Sequence, residues 1–389
     1  MSVVIIGAGQ AAAQLVASLR QGGYAGAIRM IGDEPYAPYQ RPPLSKKFLT
    51  ERPAAETLYF RAENFWREQG VTLDVGTPVA AVDRAARRVK LADGRSADYE
   101  TLVLATGTRA RGLPVPGAHL PGVFSLRKID DVRRLRGPLD EARRVVIVGG
   151  GYIGLEVAAV VRGEGREVAV LEAEERVMKR VTSPVMSTFM QDVHRGRGVD
   201  VRLGARLAGV EGEGRVREVR LADGTTLPAD LVLMAVGARP NDDLAQAAGL
   251  ACQDGVVVDA HGRTADTAIY AAGDCTRFPS RRYGRALRLE CVQNAIDQAK
   301  AVAAAILGKP QPYDPVPWFW SDQYELKLQM AGLSDGYDDA QTVGEPAAAR
   351  FSVEYRKDGR LIAVDAVNDG RAYMGGRKRI AQETEAAVA

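Results

Sequence analysis

Two glycine runs carry the first chemistry that this sequence can do. Gly7, Gly9 and Ala12 follow the apolar stretch Val3–Ile6, and Gly149, Gly151 and Gly154 follow Val145–Val148. In each run a strand pattern leads into a tight turn and then a helix. The first glycine allows the turn, and the second lets a phosphate approach the backbone. The third small residue lets the helix pack on the strand. The helix N-terminus then offers free N–H groups and positive partial charge to an anion. One such run is weak evidence. Two, each in strand context, predict two bound dinucleotides, and Ala12 is a permitted small residue at the third position.

A carboxylate at the end of the next strand completes such a site by hydrogen-bonding an adenosine ribose. Asp33 and Glu172 both fall near the expected offset of roughly 20 residues. Glu172 can accept both ribose hydroxyls and would repel the extra phosphate of NADPH. Ala173, Glu174 and Glu175 follow it, with no arginine before Arg176. The second site is therefore expected to take NADH; the alternative is a solvated acidic loop.

The elements that must position these groups occur twice. After Gly7 a helix is expected over Gln10–Gln21 and a strand ending in Ile31, Gly32 and Asp33. After Gly151 comes a helix and a strand ending in Leu171 and Glu172. Each copy later shows a buried strand running into glycine: Leu102 to Ala105, Thr106 and Gly107, and Leu231 to Gly237. Each of these is preceded by a polar hairpin, Ala92–Gly94 or Ala222–Gly224. The first copy reads as interrupted by the second. Gly273 and Asp274, in an expected strand-to-helix turn with an N-cap as the plain alternative for Asp274, and a helix over Val292–Leu307 have no partner of their own and are expected to complete the first site. A proline-rich break at Lys309–Pro317 leads to strand-like runs at Phe351–Tyr355 and Leu361–Val367, a small third domain.

Composition sets limits. The chain has 389 residues, 46% hydrophobic and 26% charged, with a net charge of +3. That fits a soluble globular protein and gives no ground for nucleic-acid binding. No stretch approaches the ~20 apolar residues that span a bilayer, and the N-terminus runs straight into a strand, so neither a membrane segment nor a signal peptide is expected. Cys252, Cys275 and Cys291 look like reduced cytoplasmic thiols. His119, His194 and His261 are too scattered for a metal site, and none is assigned.

Four segments carry a resemblance: Pro38–Lys46, Gly149–Glu156, Ala272–Asp274 and Trp318–Gln323. With them the chain resembles the two-dinucleotide-domain flavoprotein reductases, and among these the NADH-dependent ferredoxin reductases that feed monooxygenases and ring-hydroxylating dioxygenases. The implied fold is α/β: two Rossmann-like dinucleotide-binding domains, for FAD and NAD, plus a small C-terminal α/β domain. The implied boundaries are 1–112 and 240–315 for the FAD domain, 113–239 for the NADH domain and 316–389 for a C-terminal interface domain. The implied FAD contacts are Gly7, Gly9, Ala11, Ala12, Asp33, Arg41, Lys46, Val79, Ala105, Thr106, Gly107, Arg127, Asp274, Val292 and Trp320. Those for NADH are Gly149, Gly151, Ile153, Gly154, Glu156, Glu172, Arg180 and Gly237.

The resemblance also implies roles. Lys46, in a turn stiffened by Pro42 and Pro43, would place a cation near the reactive edge of the flavin and stabilise its reduced form; Lys47 reads as a surface charge. Glu156 would face the nicotinamide, although an acid near a helix start is also favoured by the dipole. Trp320 would reach the flavin or a partner surface, with core packing as its alternative. Arg281, Arg282, Arg285 and Arg288, and Arg377 to Arg379, would steer an acidic ferredoxin or simply form solvated faces. The disulfide-reducing relatives carry a cysteine pair near Arg41–Lys46 or within the second nucleotide domain; this chain has no cysteine in either place. The expected activity is hydride transfer from NADH to FAD, then single electrons to a two-iron ferredoxin that serves a terminal oxygenase, by a cytoplasmic monomer or homodimer. A rubredoxin reductase and a signalling flavoprotein like the apoptosis-inducing factors are the alternatives.

Overall fold

The computed structural model describes residues 2–388. They divide into two compact units. One comprises Met1–Gln40, Ala54–Arg109 and Arg239–Pro317; the other comprises Arg41–Pro53, Ala110–Ala238 and Trp318–Ala389. The chain crosses between the units near residues 40, 53, 109, 238 and 317. The excursion Arg41–Pro53 belongs with the second unit, and so does the C-terminal segment.

The first unit is built on a five-stranded parallel sheet. Its order is Ile269–Ala271, Thr101–Leu104, Ser2–Ile6, Ala27–Ile31 and Val71–Asp74. Val3, Val4, Ile5 and Ile6 are all buried, as both-faces-covered parallel strands require. The helix Gln10–Gln21 follows, with Ala11, Ala12, Leu15, Val16 and Leu19 buried at helical spacing. It packs on the helix Val292–Ile306. The strand Ile269–Ala271 joins this sheet only after the whole second nucleotide-binding segment has passed, so the first copy is interrupted as expected.

The second unit repeats the plan. Its parallel sheet runs Val199–Arg202, Glu167–Leu171, Arg144–Val148, Leu231–Met234 and Val123–Ser125. Here the outermost strand, Val123–Ser125, comes before the glycine turn in the chain. Each unit also carries a three-stranded antiparallel sheet, and the two share one hairpin. Gly94 N–H donates to Leu91 O and Gly224 N–H to Leu221 O, both at 3.1 Å. Both glycines have φ +88°, a left-handed conformation that favours glycine.

The C-terminal segment forms a five-stranded antiparallel sheet. Its order is Trp318–Gln323, Leu326–Gly332, Arg360–Val367, Arg350–Lys357 and Asp339–Glu345, with the helix Gly370–Val388 packed on it. Among the described residues no helix is long and apolar enough to cross a membrane.

One local expectation fails. Asp274 does not lead into a helix. Thr276–Ser280 and Arg285–Leu287 form an antiparallel hairpin, and the helix starts only at Val292, capped by Cys291. The period-two burial of Thr276, Phe278 and Ser280 decides this.

A buried polar knot ties the loop ahead of the helix Pro184–Gly196 to the C-terminal sheet. The Tyr355 hydroxyl donates to Asp365 at 2.6 Å, and Thr182 donates to the same carboxyl oxygen. Burial pushes the Asp365 carboxyl from 3.8 up to about 6, against these two donors. The folded pKa lies above the unfolded one, so the stabilisation from protonating Asp365 is complete below about 3.8 and lost as pH rises through about 6. Asp365→Asn removes this titration. The stability of the variant relative to wild type, followed by melting temperature, is expected to rise between about pH 4 and about pH 7, by at most about 3 kcal/mol. A difference independent of pH would contradict the assignment.

Candidate functional site

The two glycine turns have the same construction. Gly7 N–H donates to Ile31 O at 2.7 Å, and Gly149 N–H donates to Leu171 O at 2.8 Å. A Cβ on Gly7 would lie 2.1 Å from Ala105 O, and one on Gly149 would lie 2.4 Å from Ala235 O. The strand ends at Ala105 and Thr106, and at Ala235 and Val236, are thus drawn against the turns. The third positions differ. A Cβ on Gly154 would lie 2.0 Å from Gly149 O, whereas Ala12 is fully buried with its methyl in place.

Both turns present an anion cradle. Gly9 and Gly151 are the N-caps of their helices; neither helix has a side-chain cap or an acid in its first turn. A Cβ at Gly9 or at Gly151 would meet nothing within 4 Å. The first-turn N–H groups have no side-chain cap and the space beside each N-cap glycine is open, which fits a dinucleotide pyrophosphate.

The acidic residues differ between the copies. Glu172 stands at the end of its strand. Its carboxylate accepts from Gly150 N–H at 2.7 Å and from Glu174 N–H at 3.0 Å. By backbone register the equivalent position in the first unit is Gly32, since Gly32 N–H and Glu172 N–H bond Asp74 O and Arg202 O alike. A Cβ on Gly32 would lie 2.6 Å from the Ala8 methyl. The first copy has Ala8 facing Gly32 where the second has Gly150 facing Glu172. The acid of the first copy, Asp33, sits one residue further on and is exposed.

The cation nearest in sequence to Glu172 is occupied. Arg176 donates to Thr182 O and to Ser187 Oγ, both at 2.8 Å, and to Lys179 O at 3.0 Å. Lys179 pairs with Glu174 and Glu175.

In the first unit the turn at Gly273 and Asp274 lies against the first glycine helix: a Cβ on Gly273 would lie 3.2 Å from the Ala11 methyl. Gly273 N–H donates to Gln298 Oε1 at 2.8 Å. Asp274 accepts from Thr108 Oγ1 at 3.5 Å. Ala11 thus lies against the turn that carries Asp274. Val79 opens the first strand of the small sheet, and Val292 is the first residue of its helix.

Arg41, Lys46, Arg127 and Trp320 belong to the second unit. Arg41 donates to Arg127 O at 2.9 Å. Pro42–Ser45 form a single 3₁₀ turn that ends on Lys46. The Lys46 ammonium lies 2.8 Å from Glu156 Oε2. Ser45 Oγ donates to that oxygen at 2.6 Å, and Ser321 Oγ donates to Glu156 Oε1 at 2.7 Å. Glu156 is only 4% exposed. A carboxylate this deep is held by pairing and by full hydrogen bonding, not by the helix dipole alone. Lys47 is exposed, as expected for a surface charge. Ile153 and Arg180 are exposed too, and the Arg180 guanidinium would lie 3.7 Å from a Cβ on Gly237.

The strand Trp318–Gln323 serves two faces. Trp318 and Trp320 stack 5.9 Å apart, and Arg377 lies over Trp318. On the alternate face Phe319 packs on Tyr152 at 4.7 Å, Ser321 reaches Glu156, and Gln323 reaches His194 at 2.8 Å. Ser45, Ser321, Gln323 and His194 escaped the sequence reasoning; the alternation of Phe319, Ser321 and Gln323 was the only signal available.

All three cysteines are free; burial raises the Cys252 thiol to about 11 and Cys291 to about 12, and Cys275 also lies above its ordinary value. Among the described residues no group of side chains could hold a metal. Arg288 leaves the basic stretch, because Asp254 and Glu290 both pair with it and only 14% of its side chain is exposed. Arg379 is likewise paired, with Glu354.

The model of the pyridine nucleotide-disulphide oxidoreductase family matches residues 1–299, and that of the reductase C-terminal domain matches residues 318–389. A probable ferredoxin reductase, CtmF, of Castellaniella defragrans is 44% identical over 384 residues, 98% of this chain and 94% of its own. The crystal structure of the ferredoxin reductase for the CYP199A2 system of Rhodopseudomonas palustris aligns with a TM-score of 0.95 at 45% identity, covering 97% of this chain and 93% of that one. Putidaredoxin reductase, in its covalent complex with putidaredoxin, aligns with a TM-score of 0.94 at 42% identity over 97% and 92%.

The open space at Gly151 generates a test. Its φ of −83° suits any residue, so Gly151→Ala is expected to fold with an unchanged melting temperature yet lose roughly tenfold or more in NAD+ affinity. Gly154→Ala is expected to lower the melting temperature itself, because its methyl meets a backbone carbonyl. Calorimetric binding and thermal melting of both variants check this; unaltered NAD+ binding by Gly151→Ala would remove the cradle.

Proposed function

Because the chain belongs to the pyridine nucleotide-disulphide oxidoreductases and carries their reductase C-terminal domain, we propose that it passes electrons from NADH through FAD to a two-iron ferredoxin serving an oxygenase. It is an FAD-dependent, NAD(P)H-oxidising ferredoxin reductase. The observation that carries the reading is the state of the thiols. The family is named for disulphide chemistry, yet all three cysteines here are free and pushed toward the protonated form. Electrons have no thiol exit and must leave to an external acceptor.

The residues divide the work. The turn at Gly7 and Gly9, with Ala11, Ala12, Asp33 and Asp274, holds the FAD pyrophosphate and ribose. The turn at Gly149, Gly151 and Gly154 holds NADH. Glu172 keeps lone pairs for the two ribose hydroxyls beyond the two backbone donors it already accepts. Bound FAD supplies the conversion of a two-electron donor into single electrons. Lys46 and Glu156 serve the hydride step, with the lysine providing a fixed positive charge and the glutamate fixing the lysine.

NADH is expected to outperform NADPH by at least roughly tenfold, since an anion beside Glu172 finds no compensating cation once Arg176 is occupied. Glu172→Arg is expected to narrow or invert the preference, and stopped-flow reduction with each nucleotide checks it. Equal use of both by wild type would take Glu172 out of this role.

Reduction of a two-iron ferredoxin is expected to weaken with salt, as steering is screened over a Debye length of ~8–10 Å. Charge reversal at Arg281, Arg282 or Arg285 is expected to raise the ferredoxin KM while leaving ferricyanide reduction less affected. Turnover with rubredoxin alone would move the assignment to that carrier. Slow NADH oxidation with neither carrier reduced would favour a signalling flavoprotein.

A further inference from the structure

A file of buried polar side chains runs from the Lys46–Glu156 pair to His194 within the second unit. Ser321 Oγ lies 2.7 Å from Glu156 Oε1, Gln323 Nε2 lies 3.1 Å from Ser321 Oγ, and His194 Nε2 lies 2.8 Å from Gln323 Oε1. Ser321 and His194 are completely buried and Gln323 is 1% exposed. The direction of the protons follows from the carboxylate end. A glutamate paired with lysine only accepts, so the single Ser321 hydroxyl proton goes to Glu156. The Ser321 oxygen must then accept, and Gln323 turns its amide N–H toward it. The Gln323 carbonyl is left facing His194, so the imidazole carries its proton on Nε2.

The far end of the file is closed. His194 Nδ1 is buried without a partner, so a second proton there would be a charged donor with nothing to bond. Burial holds the imidazole below its ordinary pKa. The hydrogen bond to Gln323 opposes that shift and the Arg197 charge adds to it. Tyr324 is a further titratable neighbour: its ring centroid lies 5.2 Å from the imidazole, and the Arg197 guanidinium lies over the Tyr324 ring. A site built for packing alone would place apolar side chains at 194 and 323, since each buried polar group must be bonded or is costly.

We propose that His194 and Gln323 are positioning residues for hydride transfer: they fix which way Ser321 points its proton, and so hold the Glu156 carboxylate in one orientation against Lys46. The proposal rests on the assignment of the Lys46–Glu156 pair to the hydride step. Neither residue touches that pair; both act through Ser321.

Two measurements test it. The chain has three histidines, so the ¹⁵N resonances of the labelled holoenzyme are few enough to assign by substitution. One imidazole is expected to be neutral and protonated on Nε2 at neutral pH and to titrate, if at all, below the ordinary histidine range, and its signal to vanish in His194→Gln. An imidazole of residue 194 that titrates in the ordinary range, or carries its proton on Nδ1, overturns the proposal.

The second measurement is reduction of the holoenzyme by NADH in stopped flow, with NAD+ affinity and melting temperature recorded alongside. His194→Leu and Gln323→Leu are expected to slow reduction by about tenfold while NAD+ affinity holds within about twofold. His194→Gln, which keeps a donor, is expected to recover most of the rate. Gln323→Glu keeps the volume but reverses the demand on the Ser321 proton. Its rate is expected to fall, and to recover as pH drops and the new carboxyl becomes a donor. Wild-type rates and pH profiles in all four, with Glu156→Gln slowed, overturn the proposal and leave the pair assignment standing. Wild-type rates in Glu156→Gln and Lys46→Met as well would overturn that assignment, and the proposal with it.

Discussion

The missing side chain at Gly7 and at Gly149 is the constraint on which the rest depends. A Cβ at either would sit 2.1 or 2.4 Å from a carbonyl oxygen of a strand that arrives from far along the chain. With no side chain there, the central strand, its neighbour and the following helix converge at one point. That convergence aims the first-turn N–H groups outward and leaves the space at Gly9 and Gly151 clear. It also brings the end of the next strand, with its acid, beside the turn.

Within this shared plan the copies exchange side-chain volume. The second has Gly150 against Glu172, and the carboxylate receives the Gly150 N–H. The first has Ala8 against Gly32, so no carboxylate fits in that register and the acid moves to Asp33. The second turn needs glycine at 154, where Gly149 O lies close, whereas the first accepts the Ala12 methyl. These are packing decisions of about one methyl group each, the scale at which close-packed interiors respond.

The C-terminal sheet supplies chemistry as well as packing. Its first strand sends Phe319, Ser321 and Gln323 to one face by simple alternation, and these meet Tyr152, Glu156 and His194 of the same unit. Glu156 thereby receives Ser45 and Lys46 from one segment and Ser321 from another. A buried anion with three donors is held in place far more firmly than one with a single counterion.

Much of the architecture was legible because its causes are local. The glycine runs, the helix Gln10–Gln21, the paired hairpins at Gly94 and Gly224 and the strand pattern of the C-terminal sheet all follow from side-chain period and turn chemistry within a few residues. The duplication allowed each copy to check the other. The hairpin after Asp274 was lost because arginines at 281 and 282 masked a short period-two pattern, and the pairing of Arg288 with Asp254 was invisible because it depends on how the chain returns. The buried cluster lay furthest out of reach. Ser45 and Glu156 are 111 positions apart, Glu156 and Ser321 are 165, and His194 and Gln323 are 129. By itself the sequence determined two glycine turns after apolar strands, the acids that follow them and the wide spacing of the three cysteines. Only the tertiary structure decided which polar groups close on Glu156 and which way their protons point, because hydrogen bonds between distant segments depend on the folded positions of both partners and leave no periodic trace in either.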